Sequence, residues 1–424
     1  MLILFPHLAA ATIRQAGTWG YLTLRVSAPD ELAVVCALSD GDNPRVPVDP
    51  EPAERLLANC DPAPISLWYR VDPALHLAWA HCHARQDTVI PRTAFRDAVR
   101  GGYRTFGTPY LAVTYAPGVA EAFPGAALPD LVAWQVTPEG ALPLDILIQP
   151  AVTGIAQLEP HWPAAHLQKT HALLVGAGSI GSATAHALAG YGIGQLTLMD
   201  PDRLSWHNLV RHTSASRYIG RHKVTALAEE LTRLRPDTQV QPLPWDVIAQ
   251  ADRVRALLPT VDIVVCTADG VAARRTIGHL ARRAGVTAVL ACVLQDGAIG
   301  EVLRLQPWPR HGCLTCRRQT LVNNGGMDPE PALDAGYGTG TRHRPMTAVG
   351  PDLHLVAHLA AKTAVATVLE RAGHPDQRLP GEHALLALRR QPDCSPPFDL
   401  NRTGELRWLP APPPEPRCPT CEAP

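Results

Sequence analysis

The sequence predicts an α/β protein whose C-terminal part is a doubly wound parallel sheet and whose N-terminal part is a separate α+β domain. Residues 171–305 alternate strand-like and helix-like segments with short connections, which is typical of parallel strands joined by crossover helices. An apolar run turns into a helical pattern through Gly176, Gly178 and Gly181, as phosphate-binding loops do. Proline, 42 of 424 residues, is concentrated in the first 165 and last 50 residues, so loops are expected there.

Each element of the C-terminal part follows from its apolar pattern. Short apolar runs between turn residues predict strands, and apolar residues three and four positions apart predict helices. The predicted strands are His171–Val175, Gln195–Met199, Gln239–Pro242, Ile263–Thr267, Ala288–Val293 and Glu301–Leu305. The predicted helices are Gly178–Gly190, His222–Arg235, Val271–Ala284 and Asp352–Arg371.

The N-terminal residues lack this regular alternation. The predicted elements there are strands at Gly20–Ser27, Ala33–Ser39, Tyr110–Tyr115 and Leu131–Val136, with the first two paired, and a short helix at Pro52–Asn59. A poorly periodic stretch, Gln149–His166, marks the boundary. We therefore predict an N-terminal domain at residues 1–160 and a second domain at residues 161–424.

Composition and charge exclude several classes of protein. With 38 Lys+Arg against 39 Asp+Glu, a net charge of −1 and 18% charged residues, the chain offers no basic surface for coating nucleic acid. No apolar run reaches the roughly 18–20 residues of a membrane helix, and no basic region precedes the apolar N-terminus. We expect a soluble, cytoplasmic protein without a membrane or nucleic-acid partner. Lysine is scarce: Lys169, Lys223 and Lys362 are the three in the chain.

The sharpest local signal is the G-x-G-x-x-G of Gly176, Gly178 and Gly181. Glycines permit a tight turn and let backbone N–H groups approach a phosphate at a helix N-terminus. Asp200 ends the next strand, 24 residues after Gly176, where an acid can bind ribose hydroxyls. On this motif alone, an NAD-dependent oxidoreductase is the usual interpretation.

The residues that follow resemble another family. Ser205–His212 is similar to the pattern S-x-x-N-L-x-R-Q, Gly220–Lys223 to G-x-x-K, and Cys266–Gly270 to a T-D-N strand end. Together they resemble the ThiF, MoeB and E1 superfamily of ubiquitin-like-protein activating enzymes over about residues 165–424. The resemblance implies a Rossmann-like adenylation domain that uses ATP and Mg²⁺.

The resemblance also implies roles for single residues. The three glycines bind the nucleotide, and six polar residues surround it. Adenylation of a carboxylate by ATP requires cations near the triphosphate and a carboxylate for Mg²⁺. The implied roles are Asp200 for the ribose with Asp202 beside it in the nucleotide site, Asn208 and Arg211 for the phosphates, Lys223 for the phosphates in the transition state, and Asp269 for Mg²⁺.

A structural alternative exists for each polar residue. Asp200 and Asp202 could be ordinary turn residues after a strand, and Asn208 and Arg211 could be a helix cap and a surface cation. Lys223 is harder to explain in this way, because a chain with three lysines has little chance of placing one at a prescribed position.

Two C-x-x-C pairs predict a structural metal site. They are Cys313 with Cys316, and Cys418 with Cys421. Four thiolates in two chelating pairs satisfy a tetrahedral Zn²⁺, which would fix the tail to the adenylation domain. The family carries C-x-x-C at these same two places.

The predicted crossover loop, Arg317–Arg344, contains no cysteine, although many family members carry the activated acyl group on a cysteine there. Three explanations stay open. The adenylate passes directly to an acceptor, a hydroxyl of Thr339 or Thr341 forms an oxyester, or an outlying cysteine such as Cys394 serves. The family's arginine before the glycine loop is also missing, and three alternatives stay open: Lys169 replaces it, an arginine of the N-terminal domain replaces it, or the cation is absent.

The N-terminal domain weakly resembles the JAB/JAMM zinc isopeptidases. The resemblance lies in His81, His83 and Asp97, but the spacing is longer than the family's and no general-base Glu is evident. A degenerate domain that binds a partner is favoured over a protease, and an unrelated α+β domain stays open.

These observations predict an E1-like adenylyltransferase. It would activate the C-terminal Gly carboxylate of a ubiquitin-like protein with Mg·ATP and pass it to an E2-like protein or another acceptor. The resemblance also implies a homodimer. The rivals are an NAD-dependent oxidoreductase and a non-catalytic scaffold.

Overall fold

The computed structural model describes residues 1–48, 57, 59–63, 65–85, 88–152, 154–159, 161–325 and 348–421. The chain divides into two compact units, Met1–Gly154 and Ile155–Pro424. The division falls six residues before the predicted boundary after residue 160. The predicted helix at Pro52–Asn59 lies mostly outside the described residues.

The N-terminal unit is an α+β structure built on one large sheet. Its strands are β1 (Leu2–Phe5), β2 (Trp19–Ser27), β3 (Leu32–Leu38), β4 (Val46–Pro47), β5 (Asp61–Pro62), β6 (Ser66–Arg70), β7 (Ile90–Pro91), β8 (Tyr110–Tyr115), β9 (Leu131–Val136) and β10 (Gly140–Ile148). Its helices are α1 (His7–Gln15), α2 (Pro73–Arg85), α3 (Arg92–Ala98) and α4 (Val119–Ala122).

The strands of this unit follow a path that closes on itself. The order is β4-β3-β1-β10-β9-β8-β6-β2-β5, β7 pairs with β10, and β2 also pairs with β3. Two buried tryptophans lie in the core, and each indole N–H has an acceptor: Trp68 donates to the Ser39 carbonyl at 2.8 Å and Trp134 to Thr114 Oγ1 at 2.9 Å. Satisfied polar groups make such burial favourable.

The C-terminal unit has the predicted α/β architecture. Its strands are β11 (His171–Val175), β12 (Gln195–Met199), β13 (Gln239–Leu243), β14 (Ile263–Cys266), β15 (Thr287–Leu294), β16 (Ile299–Leu305), β17 (His383–Ala387) and β18 (Leu406–Leu409). Its helices are α5 (Ala164–Leu167), α6 (Ser179–Tyr191), α7 (Lys223–Leu234), α8 (Ala251–Leu257), α9 (Val271–Arg283), α10 (Leu314–Asn323) and α11 (Gly350–Arg371).

The sheet order of this unit defines where a ligand can bind. The order is β13-β12-β11-β14-β15-β16-β17-β18, with the first five strands parallel and the last three added antiparallel. Helices α6, α7 and α11 pack on one face, and α8 and α9 on the other. The chain leaves β11 toward β12 on one side and later returns to β14 on the other, so a crevice opens at the carboxyl ends of β11 and β14.

Helix α11, with 22 residues, is the longest described helix of the unit. By length and composition it could cross a membrane. It packs instead against α6, β15 and β16, and residues such as Leu353, Val356 and Ala360 are fully buried. This pattern is typical of a core helix in a folded domain.

The fold class predicted from the sequence is confirmed. Each predicted strand and helix of the C-terminal unit is present, with ends that differ by at most two residues. One prediction needs correction. The first part of the predicted crossover loop, residues 317–323, is helical, because α10 starts at the first C-x-x-C pair and its Arg317 and Arg318 are buried.

Candidate functional site

The glycine loop joins β11 to α6. Gly176 has φ +89°, and a Cβ there would lie 2.7 Å from the Ala268 nitrogen, so the backbone of the next loop approaches closely. At Gly181 a Cβ would lie 1.8 Å from the Gly176 carbonyl oxygen. At Gly178, in contrast, a Cβ would meet nothing within 4 Å among the described residues. The first and third glycines are thus needed for packing, and the second faces open space.

Asp200 is buried just after β12 and holds two backbone amides. Its Oδ2 accepts a hydrogen bond from the Ala177 N–H at 2.7 Å, and its Oδ1 accepts one from the Asp202 N–H at 2.8 Å. Burial raises the pKa of Asp200, and the charge of Lys223 acts in the opposite direction. Asp200 therefore ties the glycine loop to the end of β12, and its contact with ribose stays a prediction.

Asp202 and Lys223 form an ion pair at the same edge of the sheet. Lys223 Nζ lies 2.8 Å from Asp202 Oδ2, and the side chains are 10% and 49% exposed, respectively. Lys223 is the first residue of α7, and its backbone N–H donates to the Asp202 carbonyl at 2.9 Å. The ammonium group is held at the end of β12, and the carboxylate of Asp202 is open to solvent.

Asn208 forms a capping box with Ser205, which is the N-cap of the short 3₁₀ helix Trp206–Asn208. Its Oδ1 accepts hydrogen bonds from the Ser205 N–H at 2.9 Å and the Ser205 hydroxyl at 2.8 Å, and its carbonyl accepts one from the Arg211 N–H. The turn thus places Arg211 beside the start of α11, where a Cβ on Gly350 would lie 3.3 Å from the Arg211 Cα. Arg211 Nε is buried and has no hydrogen-bond partner within the described part of the chain.

Asp269 follows β14 and is exposed at the carboxyl edge next to β11. The loop that carries it is fixed by Thr267, whose hydroxyl donates to the Gly176 carbonyl at 2.6 Å. Thr267 was not assigned a role by the sequence, although it stands in the strand-end motif. The hydrogen bond of Thr267 therefore ties the loop that carries Asp269, the candidate Mg²⁺ ligand, to the glycine loop.

The four cysteines of the two C-x-x-C pairs come together. Their Sγ atoms all lie within 4.8 Å of one another, and the Cys313–Cys316, Cys313–Cys418 and Cys316–Cys421 distances are 3.7, 3.6 and 3.7 Å. A tetrahedral Zn²⁺ with Zn–S bonds of about 2.3 Å requires S···S separations of about 3.8 Å. The donor set and its dimensions therefore fit zinc.

The surroundings favour a thiolate at Cys421, whereas burial raises the pKa of Cys313 and of Cys316. The Glu415 N–H donates to Cys316 Sγ at 3.2 Å, and Arg282 Nη1 donates to Cys421 Sγ at 3.4 Å. Burial raises the pKa of Cys421, but the hydrogen bond from Arg282 and its charge outweigh burial and lower that pKa to about 7. A cation and an amide so placed stabilise the negative charge of a zinc–thiolate cluster.

A buried ion pair anchors α10, the helix that starts at this cluster. Arg318 Nη1 and Nη2 donate to the carboxylate of Glu301 on β16 at 2.7 and 2.5 Å, and His383 Nε2 lies 3.0 Å from the same carboxylate. Burial raises the pKa of Glu301, but the Arg318 guanidinium outweighs it and holds that pKa well below its usual range. Helix α10, which leads the chain away from the cysteine cluster, is therefore anchored to the sheet.

The structure gives no support to an acyl-carrying residue among the three candidates named from the sequence. Thr339 and Thr341 lie outside the described residues. Cys394 is half-buried, and its Sγ lies 3.5 Å from Gln391 Oε1.

The JAB-like resemblance is not confirmed. His81 and His83 lie two positions apart on α2, so their side chains point to different sides of the helix. His83 instead pairs with Asp145 at 2.8 Å. Among the residues that could be examined for metal-binding groups, His81, His83 and Asp97 form no cluster.

Residues 156–391 match the sequence model of the ThiF family, which is more than half of the chain. The chain belongs to the ThiF family. It is 31% identical over 169 residues to the molybdopterin-synthase adenylyltransferase of Escherichia coli strain K12, a match that covers 38% of this chain and 67% of that protein. It is 32% identical over 186 residues to the uncharacterized protein y4oA of Sinorhizobium fredii, which covers 41% of this chain and 31% of that relative.

Among solved structures, the chain resembles E. coli MccB with succinimide. The TM-score is 0.45, the sequence identity is 18%, and the match covers 61% of this chain and 68% of that chain. The matches thus span 31% of the length of y4oA, 67% of the E. coli adenylyltransferase and 68% of MccB. Membership of the ThiF family agrees with the sheet order and the glycine loop described above.

Proposed function

We propose that the Ile155–Pro424 unit adenylates the terminal carboxylate of a small carrier protein with Mg·ATP. The observation that carries this proposal is the meeting of a glycine loop, a lysine and two exposed carboxylates at the carboxyl ends of neighbouring strands. Lys223, Asp202 and Asp269 supply the side chains. A dehydrogenase needs no lysine or metal ligand at this place, whereas triphosphate chemistry needs both.

In the proposed reaction, a carboxylate oxygen of the carrier protein attacks the α-phosphorus of ATP. A new P–O bond forms, the bond to the bridging oxygen of the β-phosphate breaks, and pyrophosphate leaves with the electron pair. The backbone N–H groups at the start of α6 face the phosphates, and Arg211 and Lys223 neutralise charge that develops on them. Mg²⁺ bound through Asp269 would offset further negative charge on the phosphates.

The ion pair of Lys223 suits this role. In the free site, its ammonium group is held 2.8 Å from Asp202 Oδ2. The triphosphate of bound ATP would be a second anionic partner for the ammonium group, which could reach it from its place beside Asp202. Asp200 is the residue proposed for the ribose, because each of its oxygens can accept a further hydrogen bond beside the one from backbone, and the half-exposed Asp202 lies next to it in the nucleotide site.

The substrate class and the later steps extend this proposal. By the resemblance to the ubiquitin-like-protein activating enzymes, the carrier would be a ubiquitin-like protein that ends in glycine. The acyl group would pass directly to an acceptor or an E2-like protein, or through an oxyester at Thr339 or Thr341. We further propose a cytoplasmic homodimer in which the N-terminal unit binds a partner protein.

Binding of Mg·ATP tests the site without knowledge of the carrier. Lys223→Met should weaken binding about tenfold or more by calorimetry, because a cation near the phosphates is lost. Lys362→Met is the matched control, since Lys362 donates to Gln377 Oε1 at 2.6 Å on α11 and should leave binding unchanged. Equal binding by the wild type and Lys223→Met would contradict the assignment, and binding of NAD instead of ATP would favour an oxidoreductase.

The acyl-carrier question requires the carrier protein. With it, the wild type should exchange pyrophosphate into ATP, and Asp269→Ala should abolish the exchange. A covalent adduct that resists thiol reductant but is split by hydroxide supports an oxyester, which Thr339→Val or Thr341→Val should remove. No adduct under conditions of active exchange favours direct transfer.

A further inference from the structure

His212 stands where the family pattern has glutamine, and its ring makes two hydrogen bonds to backbone. The side chain is buried. Nδ1 accepts a hydrogen bond from the Ser214 N–H at 3.0 Å, so the proton of a neutral ring resides on Nε2. Nε2–H then donates to the Ala177 carbonyl oxygen at 2.8 Å.

Ala177 is the residue between the first two glycines of the loop, and both peptide groups around it are held. In the Gly176–Ala177 peptide, the carbonyl accepts from Thr267 and the N–H donates to Asp200. In the Ala177–Gly178 peptide, the carbonyl accepts from His212. The N–H of this second peptide, that of Gly178, has no hydrogen-bond partner within the described residues.

The geometry of the peptide bond links these facts. In a trans peptide, the C=O and the N–H point in opposite directions. A hydrogen bond that fixes the Ala177 carbonyl toward His212 therefore turns the Gly178 N–H away from His212. Gly178 faces open space, where a Cβ would meet nothing within 4 Å of the described residues.

We infer that His212 is a positioning residue that directs the Gly178 N–H toward the phosphates of the bound nucleotide. This inference rests on the proposed function. His212 itself does not touch the nucleotide; it acts through the Ala177–Gly178 peptide. Loss of its hydrogen bond would let this peptide rotate, and the loop would then present one fewer fixed donor to an anion.

The neutral state of the ring is part of this role. A protonated imidazole would place an N–H at Nδ1 against the Ser214 N–H, and two donors would face each other. Burial lowers the pKa of His212 to about 4, and the charge of Lys223 acts in the same direction. The ring is thus neutral at pH 7, as the two hydrogen bonds require.

Three variants distinguish positioning from simple core packing. His212→Leu keeps an apolar volume but removes both hydrogen bonds. His212→Gln keeps a donor and an acceptor and should restore binding. His171→Leu is the matched control: His171 begins β11, the strand that leads into the glycine loop, and its ring also makes two hydrogen bonds, to the Thr260 carbonyl and to Thr197 Oγ1.

The measurement is calorimetric binding of Mg·ATP to the full chain, with thermal unfolding measured on the same samples. We expect His212→Leu to weaken binding about tenfold, His212→Gln to stay within about twofold of the wild type, and His171→Leu to lower the unfolding midpoint without a change in affinity. In a pyrophosphate-exchange assay, the loss should appear in KM for ATP more than in kcat.

Two results would overturn the inference. One is wild-type affinity of His212→Leu for Mg·ATP, and the other is equal loss of affinity in His212→Leu and His171→Leu, which would indicate a general effect of destabilisation. A failure of the proposed function looks different, because then the wild type itself would not bind Mg·ATP.

Discussion

The buried pair of Glu301 and Arg318 allows a quantitative test of how α10 is held. The two side chains are 1% and 3% exposed and share two short hydrogen bonds. When one partner of a buried pair is removed, the other charge stays in a site without water, and the typical cost is about 3–5 kcal/mol. We expect Glu301→Gln or Arg318→Met to lose about this much stability.

Replacing both partners should cost less than the sum of the single changes. In Glu301→Leu combined with Arg318→Met, no unpaired charge is left, and such exchanges are often neutral or stabilising. The coupling energy between the two positions should therefore be several kcal/mol. Glu229→Gln serves as the control, since the side chains of the Arg221–Glu229 pair are 45% and 40% exposed and water screens their attraction, so its loss should change stability little.

Thermal unfolding at pH 7 measures the loss, and hydrogen exchange of α10 localises it. For a unit of this size, a loss of 3–5 kcal/mol corresponds to a fall of roughly 10 °C in the unfolding midpoint. Amide protection at Leu314–Asn323 should decrease in both single variants and recover in the double variant. A double variant that loses as much as the two single variants together would refute the coupling.

Three further outcomes are expected. Replacement of Cys418 and Cys421 by Ser removes half of the thiolates, so zinc per chain measured by mass spectrometry should fall close to zero after dialysis against a weak chelator; full zinc content would contradict the four-cysteine site. Because the pKa of His212 is about 4 in the folded chain and about 6.5 in the unfolded chain, only the unfolded chain takes up this proton between these pH values. Stability should thus fall by up to about 3 kcal/mol from pH 6.5 to pH 4, and His212→Gln should remove this part of the fall in urea titrations; an unchanged slope would contradict the burial of a neutral ring. Gly181→Ala should unfold the loop region, since its Cβ would overlap a carbonyl oxygen, whereas Gly178→Ala should keep the wild-type melting temperature and lose ATP affinity; the reverse order would be inconsistent with the loop geometry.

Local patterns predicted the adenylation fold well because its signals are short in sequence. The run Leu173–Val175 followed by three spaced glycines encodes a strand, a turn and the start of a helix within nine residues, and the structure has all three. The two C-x-x-C pairs are also short local signals. Assigning both pairs to one metal site requires no knowledge of the fold of the residues between them. The predicted cysteine cluster therefore appears with zinc-compatible spacing.

Residues that act through backbone contacts were harder to predict. The sequence analysis gave His212 no role, and its partner Ala177 lies 35 residues away, so nothing local indicated the hydrogen bond. The short pattern H-x-H at His81 and His83 resembled part of a zinc-isopeptidase signature, but the surrounding residues form helix α2, which turns the two side chains to different sides. Such patterns carry information only when the element that holds them is known.

The closed path of strands in the N-terminal unit limits how that unit can recruit a partner. Extended peptides often bind by adding a strand to an exposed sheet edge. Here β2 and β3 pair with each other, and the described strands beyond them, Val46–Pro47 and Asp61–Pro62, have two residues each and include a proline, which cannot donate a ladder hydrogen bond. A partner of this unit would have to be recognised through side chains and loops rather than through main-chain pairing, so its specificity should be sensitive to single surface substitutions.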